Sequence, residues 1–278
     1  MAALSLRRSS LQVPLQFPEH EITDSKVAAY AERVKRSGLA GRVKLNLNTD
    51  PSDIPEVEEL LTLLTKENCE LCQVTFKHDF RYPSVSDTAL DGALTKAFES
   101  CPVRKFWGRL SDSALAAVPD TVVDLYIGIG SEKHYVQISS ELSNITERLS
   151  RLDDLQIHLA AQVDASLLKP LPGVDILYLY LSNVSDENLK WAVKAAAAMQ
   201  PVCGSQSFSA LRFPLCNFTV EGFRTFLEGL KEEAVRFSSL WVSTKNVARQ
   251  HHDAFSGLTQ EVLGQDLILL SESDIWRF

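Results

Sequence analysis

Nine short stretches of the chain carry apolar residues at every second position, and longer stretches between them carry apolar residues three and four apart. The first kind comprises VKLNLN, CQVTFK, VRKFWGRL, VVDLYIGI, LQIHLAA, ILYLYL, ALRFPL, SLWVST and DLILLS. Alternation at period two, clear in KLNLN, QVTFK, LQIHL and LRFPL, predicts strands with one face in water. The second kind includes PEVEELLTLLTKE, TALDGALTKAFES, SELSNITERLSRL, DENLKWAVKAAAAM and TVEGFRTFLEGLKEEA, which predict helices with one apolar side. Ahead of them, TDSKVAAYAERVKRSG predicts a capped helix with Ala28, Tyr30, Ala31 and Val34 near one face and Gly38 at its C-terminal cap.

The first inward residues of the nine strands are Leu45, Val74, Phe106, Leu125, Leu155, Leu177, Leu211, Leu240 and Leu267. They lie 29, 32, 19, 30, 22, 34, 29 and 27 residues apart, about 28 per unit, a spacing of repeat architectures. The 19- and 22-residue units leave room only for a turn or a very short helix. Helix starts also repeat. LSDSALAAV (Leu110 to Val118) and VSDENLKWAV (Val184 to Val193), with fainter copies VSDTALDGAL and FTVEGFRTFL, put Ser or Thr where a hydroxyl accepts a backbone N–H. A doubly wound sheet or a (β/α)8 barrel would also alternate strand with helix. Strands of a buried parallel sheet, however, are apolar on both faces, and barrel sites need acids, histidines or glycine-rich loops at the strand ends. Here those ends carry mostly Ser, Asn and Thr.

Within this frame LRFPLCNFTVEGFRTFLEGL, Leu211 to Leu230, resembles the pattern LxLxxCxLTxEGxxxLxxxL of ribonuclease-inhibitor-like leucine-rich repeats, with Cys216 at the position often filled by Cys or Asn. LYLYLSNVSDENLKWAV, Leu177 to Val193, follows the same frame with Asn183 nearby. The resemblance spans roughly residues 40 to 278 and is strong in these two units. It implies an α/β leucine-rich-repeat solenoid, a right-handed horseshoe of about nine irregular repeats. Residues 21–278 would form one repeat domain with an N-terminal capping helix, after a flexible tail over residues 1–20. It also implies a non-catalytic module that binds another protein on its concave sheet, as scaffold, adaptor or recognition subunit.

Composition narrows the partners. Of 278 residues 45% are hydrophobic and 23% charged, which suits a soluble globular protein. A net charge of −8 and a pI near 5.3 argue against nucleic acid as a partner, because phosphate binding needs a basic surface. No apolar run approaches the roughly 18 residues of a membrane span, so no membrane insertion is expected. Five cysteines without framework spacing point to reduced thiols and a cytoplasmic setting. Cys69 and Cys72 form a lone CxxC with no further ligands at zinc spacing, so they are expected to be buried structural thiols. Met1 to Pro18 contains Arg7 and Arg8 and no acid, the composition either of a flexible tail or of a mitochondrial presequence. Its RRSSL makes Ser10 a candidate for phosphorylation.

Chemistry leaves little trace. GIGSEK, Gly128 to Lys133, lacks both phosphate-loop and dinucleotide spacing and is expected to be a plain turn. His251, His252 and Asp253 would face different ways on a helix, so they predict no metal site. GxSxG and HExxH are missing, and no catalytic residue or cofactor is predicted. The outward face of the strands is more informative. It would carry Lys105, Trp107, Arg109, Tyr126, His158, Tyr178, Tyr180, Arg212 and Trp241, and Trp, Tyr and Arg dominate binding hot spots. Its basic residues, set against the negative whole, predict an acidic or phosphorylated segment of a partner. The competing classes are an α/β enzyme with a site assembled from loops and a mitochondrial assembly factor of the repeat type.

Overall fold

A computed structural model describes residues 19–38, 41–49, 51–76, 88–160, 162–201, 207–243, 251–264 and 266–270. Strands β1 (Glu19–Thr23), β2 (Arg42–Leu47), β3 (Glu70–Phe76), β4 (Lys105–Gly108), β5 (Asp124–Ile129) and β6 (Asp154–Leu159) are followed by β7 (Ile176–Leu181), β8 (Ala210–Phe213), β9 (Leu240–Ser243) and β10 (Leu267–Leu270). All pair parallel, in chain order, in one sheet whose outer strands β1 and β10 do not pair with each other. Chain-order pairing excludes a doubly wound sheet, and the unpaired outer strands exclude a closed barrel.

Helices α1 (Val27–Ser37), α2 (Glu56–Lys66), α3 (Thr88–Ser100), α4 (Asp112–Ala117), α5 (Glu132–Ser143) and α6 (Ile145–Arg148) connect the first strands. Helices α7 (Leu189–Ala198), α8 (Val220–Glu232) and α9 (His252–Leu263) connect the last ones. From α1 to α5 and from α7 to α9, each helix packs on the next. The helices and one face of the sheet enclose the core. In register across it run Ile22, Leu45, Val74, Phe106, Leu125, Leu155 and Leu177, all essentially without solvent contact. A second inward row, Ile127, Ile157, Leu179, Leu211 and Leu240, runs two residues further along the strands, and the inward residues expected in β8 and β9 belong to it.

All nine expected strands are present. The tenth, β1, escaped notice because only Ile22 of EHEIT is buried. It occupies the sheet edge that the sequence assigned to a capping helix, and it begins inside the segment expected to be a tail. In α1 the buried residues are Val27, Tyr30, Ala31 and Val34, and Ala28 is exposed, which shifts the expected face by one position. Gly38 takes φ +65° and its N–H bonds Val34 O, as a C-terminal cap requires.

Ser111 and Thr219 do cap α4 and α8, accepting the N–H groups of Ala114 and Gly222. Ser185 does not cap α7: the Asn188 side chain instead accepts the Ser185 N–H, and the helix begins four residues later. The VSDTALDGAL cap at Ser86 lies outside the described residues. GIGSEK is not a plain turn, since Gly128 and Ile129 end β5 and Ser131 caps α5, which therefore starts well before the SELSNITERL expected from periodicity.

The two short units behave as their lengths require. The β4–β5 unit holds only the six-residue α4, and among the described residues the β6–β7 unit has no helix. There Val163, Leu168 and Leu171 are buried in place of one. The Lys169 N–H donates to Tyr135 Oη of α5, the Leu171 N–H to Met199 O, and Trp191 Nε1 of α7 to Val163 O.

Neighbouring units are tied by carboxylates that accept backbone N–H groups of the next one. Asp24 accepts from Asn48 and Thr49, Glu132 from Asp164, and Asp186 from Thr219. The last clamp leaves no space at Gly222, where a Cβ would lie 1.9 Å from Asp186 Oδ1.

Candidate interaction face

The helix-free face of the sheet gathers seven of the nine residues singled out from the sequence into two lines across the strands. One runs Thr75, Trp107, Tyr126, Gln156 and Tyr178; the other runs His158, Tyr180, Arg212 and Trp241. Parallel strands about 4.8 Å apart bring each side chain within reach of the next.

Trp107 stacks on Tyr126 with ring centres 5.7 Å apart. Tyr126 Oη lies 2.6 Å from His158 Nδ1, and His158 Nε2 lies 2.5 Å from Ser182 Oγ. Tyr180 donates to Gln156 Oε1 at 2.8 Å and accepts from the Arg212 guanidinium at 2.6 Å. That guanidinium lies 4.3 Å from the rings of both Tyr178 and Trp241, an arrangement that binds a desolvated cation by about 2 kcal/mol.

The sequence placed nine residues on an exposed surface; the structure exposes only some of them. Tyr126, His158, Tyr180 and Arg212 are only 1–5% accessible, because each is covered by its neighbours in this network. Lys105 is half exposed, and Trp107, Tyr178 and Trp241 are partly buried with an accessible edge. Arg109 follows the end of β4, and its guanidinium lies against Gly130. Ser10 lies outside the described residues.

Burial sets the protonation of the network. His158 is fully enclosed, which pushes its pKa down to about 3 and keeps the ring neutral, while burial raises Tyr126 and Tyr180.

Two carboxylates complete the face. Asp124 accepts from Trp107 Nε1 at 3.0 Å and pairs with Lys105 Nζ at 3.2 Å. Asp154 stands in register with it on the next strand, and its Oδ1 is buried with no hydrogen-bond partner. Desolvation first, and the Asp124 charge second, lift the Asp154 pKa to about 6. Asp154 and Ser182 were missed as site residues. A signal existed for the first, because Asp124 and Asp154 each precede the inward leucine of their strand, Leu125 and Leu155.

Ser182 and His158 touch, and they are 4% and 1% accessible. Cys69 and Cys72 are buried thiols, Cys69 pushed up to about 11, and Cys216 is buried with Sγ toward Ser243 O of the next unit. Among the described residues no three of His, Cys, Asp or Glu converge, and no helix is long and apolar enough to cross a membrane.

Neither a protein-family model nor a curated protein matches the sequence. Among solved structures the chain is similar to the leucine-rich repeat-containing protein LegL7 from Legionella pneumophila, with a TM-score of 0.50 and 14% identity. The match covers 95% of this chain and 86% of the other.

Proposed function

With the fold that of an α/β leucine-rich-repeat solenoid, we propose that this protein is a non-catalytic binding module of a reducing compartment such as the cytoplasm. It holds another protein against the helix-free face of its sheet. The observation that carries this reading is the set of partly exposed aromatic side chains, Trp107, Tyr178 and Trp241, on the same face as a buried hydrogen-bonded network. Rings held by fixed neighbours lose little freedom on binding, so the contact area they bring is offset by little ordering entropy.

The sequence suggested an acidic or phosphorylated partner from the basic residues of the face, among them Lys105, Arg109 and Arg212. Such a segment would have to compete with Asp124 for Lys105 and reach an Arg212 guanidinium enclosed by three rings.

Site-specific photocrosslinking in the native source tests the binding face. Benzoylphenylalanine at position 107 or 178 should give covalent adducts with another protein, and the same probe at Lys190 on α7 should not. Adducts at Lys190 alone would place the binding surface on the helices and overturn the proposal.

A further inference from the structure

We propose that Cys69 and Cys101 form a redox-sensitive pair across the β3–β4 seam. The pair stays open in a reducing compartment and closes into a disulfide when the protein meets a disulfide oxidant such as oxidised glutathione. This goes beyond the reading of the sheet face as a binding surface and does not depend on it.

Placement is the first argument. Leu71 and Val103 form a parallel bridge ahead of β4, and Cys69 and Cys101 each stand two residues before it on their own chain segment. Neighbouring strands run about 4.8 Å apart, inside the roughly 4.4–6.8 Å that a disulfide spans between Cα atoms. Both side chains belong to the core between sheet and helices. They converge on one atom of α2, the Leu64 carbonyl oxygen, which accepts the Cys69 N–H at 3.1 Å and lies 4.0 Å from Cys101 Sγ. Burial first, and the charge of Cys101 second, raise the Cys69 pKa, as two thiols in one site require.

The other described cysteines turn elsewhere. Cys72, the second half of the CxxC, points its thiol at Val43 O of β2, on the side of β3 away from β4. Cys216 points at Ser243 O, far along the stack.

The seam itself is the second argument. Among the described residues β3 and β4 share two residue pairs, Val74–Phe106 and Thr75–Trp107, besides the Leu71–Val103 bridge. β2 and β3 share six. So short a ladder opens at lower free-energy cost than its neighbours. While it is shut, the two thiols are 1% and 3% accessible, and burial keeps both protonated. Opening exposes them. One thiolate then attacks a sulfur of oxidised glutathione and expels a glutathione thiolate. The second attacks the mixed disulfide at the protein sulfur and expels another. The two cysteines give up two electrons and two protons, and the oxidant leaves as two thiols. The new bond fastens β4, the strand of Trp107, to β3.

Peptide mapping of the full-length protein tests the pair. The folded protein is incubated with oxidised glutathione without denaturant, alkylated with iodoacetamide, and digested without reductant. The expected product is one Cys69–Cys101 linked peptide, with the intact chain lighter by two hydrogens. Its melting temperature should rise by about 5 °C and return with dithiothreitol. A Cys72→Ser, Cys216→Ser double variant should close at the wild-type rate. Cys101→Ala should lose both the linked peptide and the rise, and its own melting curve in dithiothreitol shows that it is folded. Urea below the unfolding transition should speed closure, because it favours the open seam.

Cys69–Cys72 linkage, or alkylation of Cys69 and Cys101 to the same extent as in untreated protein, would overturn the proposal. So would a Cys69–Cys101 peptide that appears only in urea strong enough to unfold the chain, since closure would then be chance pairing.

Discussion

A neutral imidazole needs one donor and one acceptor, and His158 finds hydroxyl partners on both sides in Tyr126 and Ser182. Protonation would leave a buried cation there, so the folded pKa, about 3, lies below the ordinary value of 6.5. The unfolded chain then binds more protons than the native one between those values. Stability from this group is complete above pH 6.5 and is lost as pH falls toward 3. Asp154 works in the opposite sense. Its folded pKa of about 6 exceeds the ordinary aspartate value of 3.8, so it favours folding in acid and subtracts from stability as pH rises from about 4 to 6. Denaturant titrations from pH 7 to 4 should therefore show a shallower acid loss for His158→Gln and a steeper one for Asp154→Asn. Gly222→Ala should cost about 2 kcal/mol or more in the same assay, because the added methyl displaces Asp186 from Thr219.

The face network divides its residues by depth, and substitutions should follow that division. Tyr126→Ala removes a buried ring and a hydrogen bond to His158, and should lower stability by about 3 kcal/mol. Trp107→Ala should cost about 1 kcal/mol by thermal denaturation and reveal itself mainly in lost partner capture. Periodicity made the face of each strand legible, since a residue between two inward positions must point outward. Depth was not legible: it depends on which side chains meet across strands, and that follows from register.

Helix ends tell a similar story. Ser111→Ala and Thr219→Ala should each cost about 1 kcal/mol, because their hydroxyls accept first-turn N–H groups. Ser185→Ala should fall within about 0.5 kcal/mol of the wild type, because Asn188 has taken over that turn. The three start phrases read alike in the sequence, and only the competing Asn188 side chain separates them. At α5 the helical period was seen but its start was not, because Ser131 follows two glycines that suggested a turn.

Strand order equal to chain order makes the molecule a stack in which each unit touches chiefly the ones before and after it. The one break in the helical layer among the described residues is at β6–β7, where a loop fills the space and Trp191 Nε1 reaches across to Val163 O. Trp191→Phe deletes that bond and keeps the ring, so it should cost about 1 kcal/mol. Limited proteolysis near the exposed Leu167 should then accelerate, while cleavage elsewhere keeps its rate.

Under tension that loop decides where the chain gives way. Pulled from its two ends, a row of helix-backed units should tear first where the backing is thinnest, releasing β7–β10 from β1–β6 as two intact blocks. A force trace would show one early, short rip ahead of the rest, and Trp191→Phe would bring that rip to lower load.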